Sequence, residues 1–293
     1  MENKKLSCNI AFVILQYGNE KDTEKCINSI EQKLQETKYR IVVVDNCSKD
    51  TAAEDIRSFC VKKSYVEIVE NENNLGFACG NNIGIEYVRK KYSPDFVAVI
   101  NNDTELLSEA LYERLESDYN KYNFAVWGPM VLSGDGKYTS NPMALQLFDE
   151  QEIDREIKHS QRMILISRLH LLEIYNRLKK KKSKAESCPV DNRFIYLQDV
   201  KLHGCFLVFS PKYFEYFSGF DPSTFLYMEE DILQLRLKKN ALKSLYCPRY
   251  LIFHKEGAAS QSLIRNNCKR MEFIFRNRLK SQKIYKKILL GEK

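Results

Sequence analysis

Three short runs constrain this chain more than anything else in it: residues 9–15 (NIAFVIL), 40–44 (RIVVV) and 96–100 (FVAVI) are apolar at nearly every position and rich in β-branched side chains. A strand with one wet face alternates apolar and polar residues. A strand that is apolar throughout is covered on both faces, as in a parallel sheet sandwiched between helices. The intervening segments have helical periods. Residues 22–36 place Cys26, Ile27, Ile30 and Leu34 on one stripe behind Asp22 as an N-cap. Thr51 and Glu54 have capping-box spacing for a helix that ends near Cys60. A third strand over 66–69 leads through the Gly- and Asn-rich loop NENNLGFACGNN into a helix that closes near Tyr92. Repeated βα units predict an α/β protein with a Rossmann-like, mostly parallel central sheet flanked by helices.

Beyond residue 105 the signals mix. A helix is expected over 109–121, a strand over 124–132 and a turn at Ser133-Gly134-Asp135-Gly136. Residues 150–182 are helical in period and heavily charged, ending in Lys179 to Lys182, so 140–195 reads as a helical insert. Strands are expected at 193–200, 205–209, 244–247 and 250–253. A short helix opens at Ser210-Pro211 and is closed by Gly219, and a longer one covers 229–239.

Net charge sharpens this division. The chain is +7 overall, but the last 33 residues carry 10 basic and 2 acidic side chains, which leaves 36 basic against 37 acidic in residues 1–260. A near-neutral body without a recognition motif predicts no nucleic-acid partner. Nine cysteines, an odd number with no C-x-x-C pair, suit free thiols in a reducing, cytoplasmic setting better than disulfides or a zinc knuckle. The first apolar run contains Asn9, ends in Gln16 and Tyr17 and lacks a small-residue cleavage site, so it does not read as a signal peptide. No segment approaches the ~20 apolar residues of a membrane span.

Ligands of open parallel sheets bind beyond the carboxyl ends of the strands. The polar residues collect there: Gln16-Tyr17-Gly18-Asn19, Asp45-Asn46-Cys47-Ser48, the loop from Asn71 to Gly80, and Asn101-Asn102-Asp103. Each alone is ordinary turn chemistry. Together they form a rim suited to a nucleoside diphosphate. Asp45 accepts hydrogen bonds from a base or ribose. The glycine loop allows close backbone approach, and the helix after it presents amides to an anion. Asp103 is placed to ligate a hard divalent cation between phosphates. Neither G-x-G-x-x-G nor G-x-x-x-x-G-K-[ST] occurs, which argues against a dinucleotide oxidoreductase or a P-loop enzyme.

In order, the blocks ILQYGN, VVDNCSKD, NENNLGFACGNN, VINNDTEL, HGCFLVF, GFDPSTFLYMEED and HKEGAAS resemble the family 2 glycosyltransferases of GT-A fold, especially bacterial enzymes of capsule and O-antigen synthesis. The likeness runs over about 9–260 except the insert. It implies a nucleotide-binding half (1–105), an acceptor half (106–260) and a basic tail (261–293). It also implies that Gln16, Tyr17, Asp45, Asn74, Gly76, Asn81, Asn102 and Asp103 contact a nucleotide sugar, a UDP- or dTDP-sugar by preference. Asp103 matches the last carboxylate of the family's metal-binding DxD element, which here reads Asn101-Asn102-Asp103. One carboxylate remains for Mn or Mg, with His254 as a further ligand. The family's Y-x-E-D-x-D-L-x-x-R pattern, aligned on Tyr227, Leu233 and Arg236, puts Glu230 at the catalytic base and Asp231 one step beyond.

The resemblance therefore implies an inverting enzyme that moves a sugar to a hydroxyl of a glycan or lipid-linked acceptor. The reduced metal element keeps a second reading open, a noncatalytic nucleotide-sugar-binding partner subunit. His159, His170 and His203 show no ligand spacing and read as surface or core residues, and Trp127 as core. The insert is expected to bind acceptor, to join two copies as a homodimer, or to form a solvated helical pair. In the tail, Ile264, Cys268, Met271, Phe275 and Leu279 recur at helical spacing among Arg and Lys. That pattern fits either peripheral membrane contact or a terminal helix packed on the core.

Overall fold

The computed structural model describes residues 8–34, 38–48, 51–134, 140–143, 147–178, 194–255 and 267–292. Its first half alternates β1 (Ile10–Gln16), α1 (Glu20–Lys33), β2 (Tyr39–Asp45), α2 (Thr51–Cys60), β3 (Val66–Glu70), α3 (Gly76–Tyr92) and β4 (Phe96–Asn101). There follow β5 (Thr104–Leu106), α4 (Leu111–Tyr122), β6 (Val126–Ser133), α5 (Glu150–Arg168), α6 (Leu172–Leu178), β7 (Leu197–Gln198), β8 (Phe206–Phe209), α7 (Pro211–Phe214), α8 (Glu229–Lys239), β9 (Ser244–His254) and α9 (Asn267–Leu290). One sheet runs β3-β2-β1-β4-β8-β6-β9-β5, with β7 paired to β9. Strands β3, β2, β1 and β4 are parallel, β8 is antiparallel to β4 and β6, and β6 and β9 are parallel.

The continuous apolar runs are explained by burial on both faces. Ile10, Phe12 and Ile14 of β1 join one core with Cys26, Ile27 and Ile30 of α1, whereas Ala11 and Val13 join another with Ile85 and Val88 of α3. Strands β2 and β4 divide the same way, odd against even. Helix α3 lies so near the sheet that a Cβ on Gly84 would fall 2.3 Å from Val13 Cγ1, so only glycine fits at this crossing.

Three features depart from the sequence expectation. Helix α1 starts at Glu20 behind Asn19 in the left-handed region (φ 51°), not at Asp22. Asp22 is instead buried; its carboxylate accepts from Asn19 Nδ2 and, through both oxygens at 3.0 Å, from Lys255 Nζ, a partner 233 residues away that no local pattern shows. The strand expected over 193–200 shrinks to β7. The two strands expected between 244 and 253 are one, β9, because a register shift opposite Pro129/Met130 absorbs the irregularity.

The insert and the tail pack on each other. Helix α5, closed by an Asp149–Glu152 capping box, contributes Ile153 and Met163. Helix α9 answers with Tyr285 and Phe275, and Met228, Ile232 and Leu235 at the start of α8 complete the junction. Lys286–Asp154 (2.8 Å) and Arg278–Glu156 (3.2 Å) tie the rim. The apolar stripe of the tail, including Cys268, Met271 and Phe275, therefore faces the protein. Among the described residues no helix is long and apolar enough to cross a membrane. Among the described residues, eight cysteines form no disulfide. Cys188, Ile264, Lys179 to Lys182, Asp135, Gly136 and Glu256 to Ser260 lie outside the described residues.

Candidate functional site

Register places the rim. Gln16 lies beside Asp45, Leu15 beside Asn101 and Asp45 beside Glu70, so the parallel strands end on one line. Two buried amides beneath that line order the loops above it. Asn46 donates through Nδ2 to Asn74 Oδ1 (3.0 Å) and Gly76 O (3.2 Å) and accepts at Oδ1 from Asn71 Nδ2 (3.1 Å) and Leu75 N (3.0 Å). Gln16, fully buried, donates to Gly18 O (2.7 Å) and accepts from Asn102 Nδ2 (3.4 Å) and the Thr23 hydroxyl. These contacts fix the rim in the protein alone.

Asp45 is buried, with Ser48 N at 3.3 Å from both carboxylate oxygens, and Ser48 Oγ in turn accepts from Gly18 N at 2.9 Å. Tyr17 is half-buried just past β1. Gly76 has φ +77°, and a Cβ there would lie 2.2 Å from Phe225 O, which also accepts from Phe77 N at 2.9 Å. The loop before α3 is thereby joined to the segment that leads into α8. Asn81 is fully buried, donates to Phe77 O at 2.9 Å and keeps Oδ1 without a protein hydrogen bond.

Asp103 and His254 come together because β5 and β9 are antiparallel neighbours: Thr104 pairs with His254, and Lys255 N donates to Asp103 O at 3.0 Å. His254 Nε2 lies 3.1 Å from Asp103 Oδ1, both side chains being about nine-tenths buried. Since a carboxylate only accepts, Nε2 carries the proton of this contact. A 3.1 Å separation is also one that two adjacent ligands of an octahedral ion at ~2.1 Å span. The pair therefore fits a divalent cation, with oxygen ligands left for substrate. His203, expected to be surface or core, stands 5.3 Å ring to ring from His254 and belongs to this group.

The N-terminus of α8 closes the far side. Tyr227 and Met228 both have positive φ (72° and 68°), an unusual pair for side chains with a Cβ, and they turn three acids into the first helical turn. Glu230 Oε1 accepts from Gly204 N at 3.2 Å, and the following Cys205 O accepts from Asn101 N at 2.8 Å, which links Glu230 through two backbone steps to the Asn101-Asn102-Asp103 turn. Asp231 pairs with Lys201 Nζ at 2.9 Å. Burial pushes its carboxyl up, opposed by the Lys201 charge. Glu229 points inward. Burial, reinforced by the charge of Glu230, pushes its carboxyl up to about 8.

A raised acid pKa means that the folded chain holds a proton which the unfolded chain releases near ~4.3. This contribution to stability is complete below that pH and is lost as pH rises to about 8. Replacing Glu229 by glutamine removes the ionisation. The variant should gain on the parent with rising pH, by about 4–5 kcal/mol or roughly 10 °C in Tm at pH 8. Parallel Tm curves between pH 5 and 8 would contradict it.

Of the residues singled out in the sequence, Asp45, Asn74, Asn102, Asp103, His254 and Glu230 line or adjoin one edge, while Gln16, Gly76 and Asn81 lie under it. Sequence reading gave Asn46 and Ser48 no role beyond membership of the rim, read His203 as surface or core, and passed over Lys201. Asn46 was visible as the neighbour of Asp45 at a strand end. Nothing local marks Lys201, whose partner is 30 residues on.

Three comparisons bear on these features. The model of glycosyl transferase family 2 matches residues 11–180. Among curated proteins of Haloferax volcanii, the chain is 26% identical over 128 residues to the low-salt glycan biosynthesis hexosyltransferase Agl10, covering 44% of this chain and 38% of the relative. It is 31% identical over 78 residues to glycosyltransferase AglE, covering 26% of each. The matches thus span well under half of these relatives. Among solved structures, GalNAc-T7 with UDP, GalNAc and Mn2+ superposes with TM-score 0.57 at 14% identity, over 87% of this chain and 44% of that one. S. aureus TarS 1-349 in complex with UDP superposes with TM-score 0.50 at 12% identity, over 96% of this chain and 70% of that one. At such identities the likeness shows a shared fold, the GT-A fold with its mixed, mostly parallel sheet.

Proposed function

The chain belongs to glycosyl transferase family 2, and from that premise we propose that it transfers a hexosyl group from a nucleoside-diphosphate sugar to a hydroxyl of a glycan or lipid-linked saccharide. The observation that carries this reading is the meeting of Asp103 with His254 at 3.1 Å beside the carboxylate of Glu230 on the Gly204 backbone. A cation site and a base then flank one edge. In the proposal, Asp45 and Ser48 bind the base and ribose, and the loop from Asn74 to Asn81 lies along nucleoside and sugar, with residues 1–105 as the donor half and 106–260 as the acceptor half. A divalent cation held by Asp103 and His254, Mn or Mg by class, would neutralise charge on the leaving diphosphate. Glu230 accepts the acceptor's hydroxyl proton while that oxygen bonds to the anomeric carbon and the bond to the diphosphate breaks, which inverts the centre. Asp231, held by Lys201, is the less available base.

The tested prediction is release of nucleoside diphosphate from UDP- or dTDP-sugars by the full chain with Mn2+, with transferred sugar of inverted configuration by NMR. Retained configuration, or no release from UDP-, GDP- or dTDP-sugars, contradicts it. That the product enters a surface polysaccharide of capsule or O-antigen type is the finer part of the proposal.

Peripheral attachment at the cytoplasmic face of the membrane is supported by a separate feature. Lys269, Arg276, Lys280, Lys283 and Lys287 of α9 are all exposed and recur at 7-, 4-, 3- and 4-residue steps, so they lie on one face of that helix, opposite its packed side. Reversing Lys280, Lys283 and Lys287 to Glu should abolish co-sedimentation with vesicles containing anionic lipid. Unchanged sedimentation would remove the membrane from the account.

A further inference from the structure

Besides the contact with Asp103, His254 takes part in a second cluster that the glycosyltransferase reading does not use. One ligand atom each from His203, Cys205 and His254 lies within 4.8 Å of the others, and Cys205 and His254 are buried. We propose that these three residues bind a thiophilic divalent cation of the zinc class, at a site separate from the hard-cation position at Asp103 but sharing His254 with it.

The donor set decides the class of ion. Two imidazoles and a thiolate suit borderline-soft ions such as Zn2+ or Co2+, whereas Mg2+ and Ca2+ take oxygen. Bonds of ~2.0–2.1 Å to nitrogen and ~2.3 Å to sulfur place tetrahedral ligands ~3.5 Å apart, so a cluster within 4.8 Å closes by about an ångström. His254 has a nitrogen available for the task. Its Nε2 donates to Asp103 Oδ1 at 3.1 Å, and its buried Nδ1 has no hydrogen-bond partner in the protein. An imidazole that ligates through one nitrogen while giving its other N–H to a carboxylate is the usual support of a metal-bound histidine. Cys205 N donates to His203 Nδ1 at 3.1 Å, which holds that ring beside the cysteine. The thiol proton of Cys205 leaves to solvent as the thiolate binds. Three protein ligands on a group that reaches the half-exposed His203 leave the fourth position for water or substrate.

Sharing His254 has a consequence for the neighbouring site. With Nδ1 on a soft ion, Nε2 keeps its proton and stays on Asp103, so it is withheld from a hard cation there. Thiophilic ions then oppose Mn2+ or Mg2+.

The test is absorption titration of the reduced, chelator-stripped full chain with Co2+. The expected result is one equivalent bound with a thiolate-to-cobalt charge-transfer band and tetrahedral d–d bands, displaced by Zn2+. Cys205→Ser should remove the charge-transfer band, and His203→Gln, at a half-exposed position, should weaken binding at least tenfold. Absence of a charge-transfer band overturns the proposal. So does a band that survives in Cys205→Ser, since another thiol would then carry it, or undiminished affinity in His203→Gln, since that imidazole would then not be a ligand. Sugar transfer is not the readout, so either result leaves the glycosyltransferase reading where it stood.

Discussion

Replacing Glu230 by glutamine should lower the transfer rate by about 10²–10⁴-fold, the usual contribution of a positioned general base, while donor affinity stays within a few-fold. Glutamine keeps the shape and an oxygen for the Gly204 N–H at 3.2 Å but has no basic site for a proton. Asp231 is the competing candidate. Its carboxylate is engaged by Lys201 at 2.9 Å, and both side chains are largely buried. Asparagine there leaves a buried ammonium without its partner, so Asp231→Asn should reduce stability more than rate, by about 3 kcal/mol. Measured together, the two variants separate the roles. If Asp231→Asn loses the rate and Glu230→Gln keeps it, the base is Asp231 and the family register shifts by one residue.

Replacing Asp103 by asparagine should be comparably severe and differ in kind. It removes the only carboxylate of the Asn101-Asn102-Asp103 turn while keeping its shape, and with it the strongest ligand for a hard cation. Loss of several kcal/mol of charge stabilisation on the leaving diphosphate corresponds to about 10²–10³-fold in rate. Cation-dependent donor affinity should fall with it, which distinguishes this variant from Glu230→Gln. Unchanged metal dependence would mean that the diphosphate charge is met elsewhere, for instance by side chains outside the described residues.

The first hundred residues were largely legible because their signals are local. Continuous apolar runs require cover on both faces, and the alternation of Ile10, Phe12 and Ile14 against Ala11 and Val13 between two cores is that requirement met. Turn-forming residues at successive strand ends mark a rim before any partner is known. The remainder depends on contacts between distant segments. Asp22 reads as a helix cap until Lys255 is seen beside it. His203 has no ligand spacing because its neighbour is 51 residues later, at the end of β9. The stripe of α9 fits a membrane or a protein equally well, and its packing on α5 is settled by Phe275 and Tyr285 at the junctions. The three acids after Tyr227 read as one cluster, yet the fold separates them: Glu229 into the interior, Glu230 onto the Gly204 backbone, and Asp231 onto Lys201.

The central claim is a donor site whose nucleoside end is set by Asp45 and whose diphosphate end is set by a cation on Asp103 and His254. It is tested most directly by calorimetric titration of UDP and dTDP into the full chain with and without Mn2+. The account predicts one saturable site for at least one of them that requires Mn2+, weakened at least tenfold in Asp103→Asn and unaltered in Glu230→Gln. Absence of binding by UDP, dTDP and GDP in the presence of Mn2+ or Mg2+, or binding that Asp103→Asn leaves intact, would contradict it.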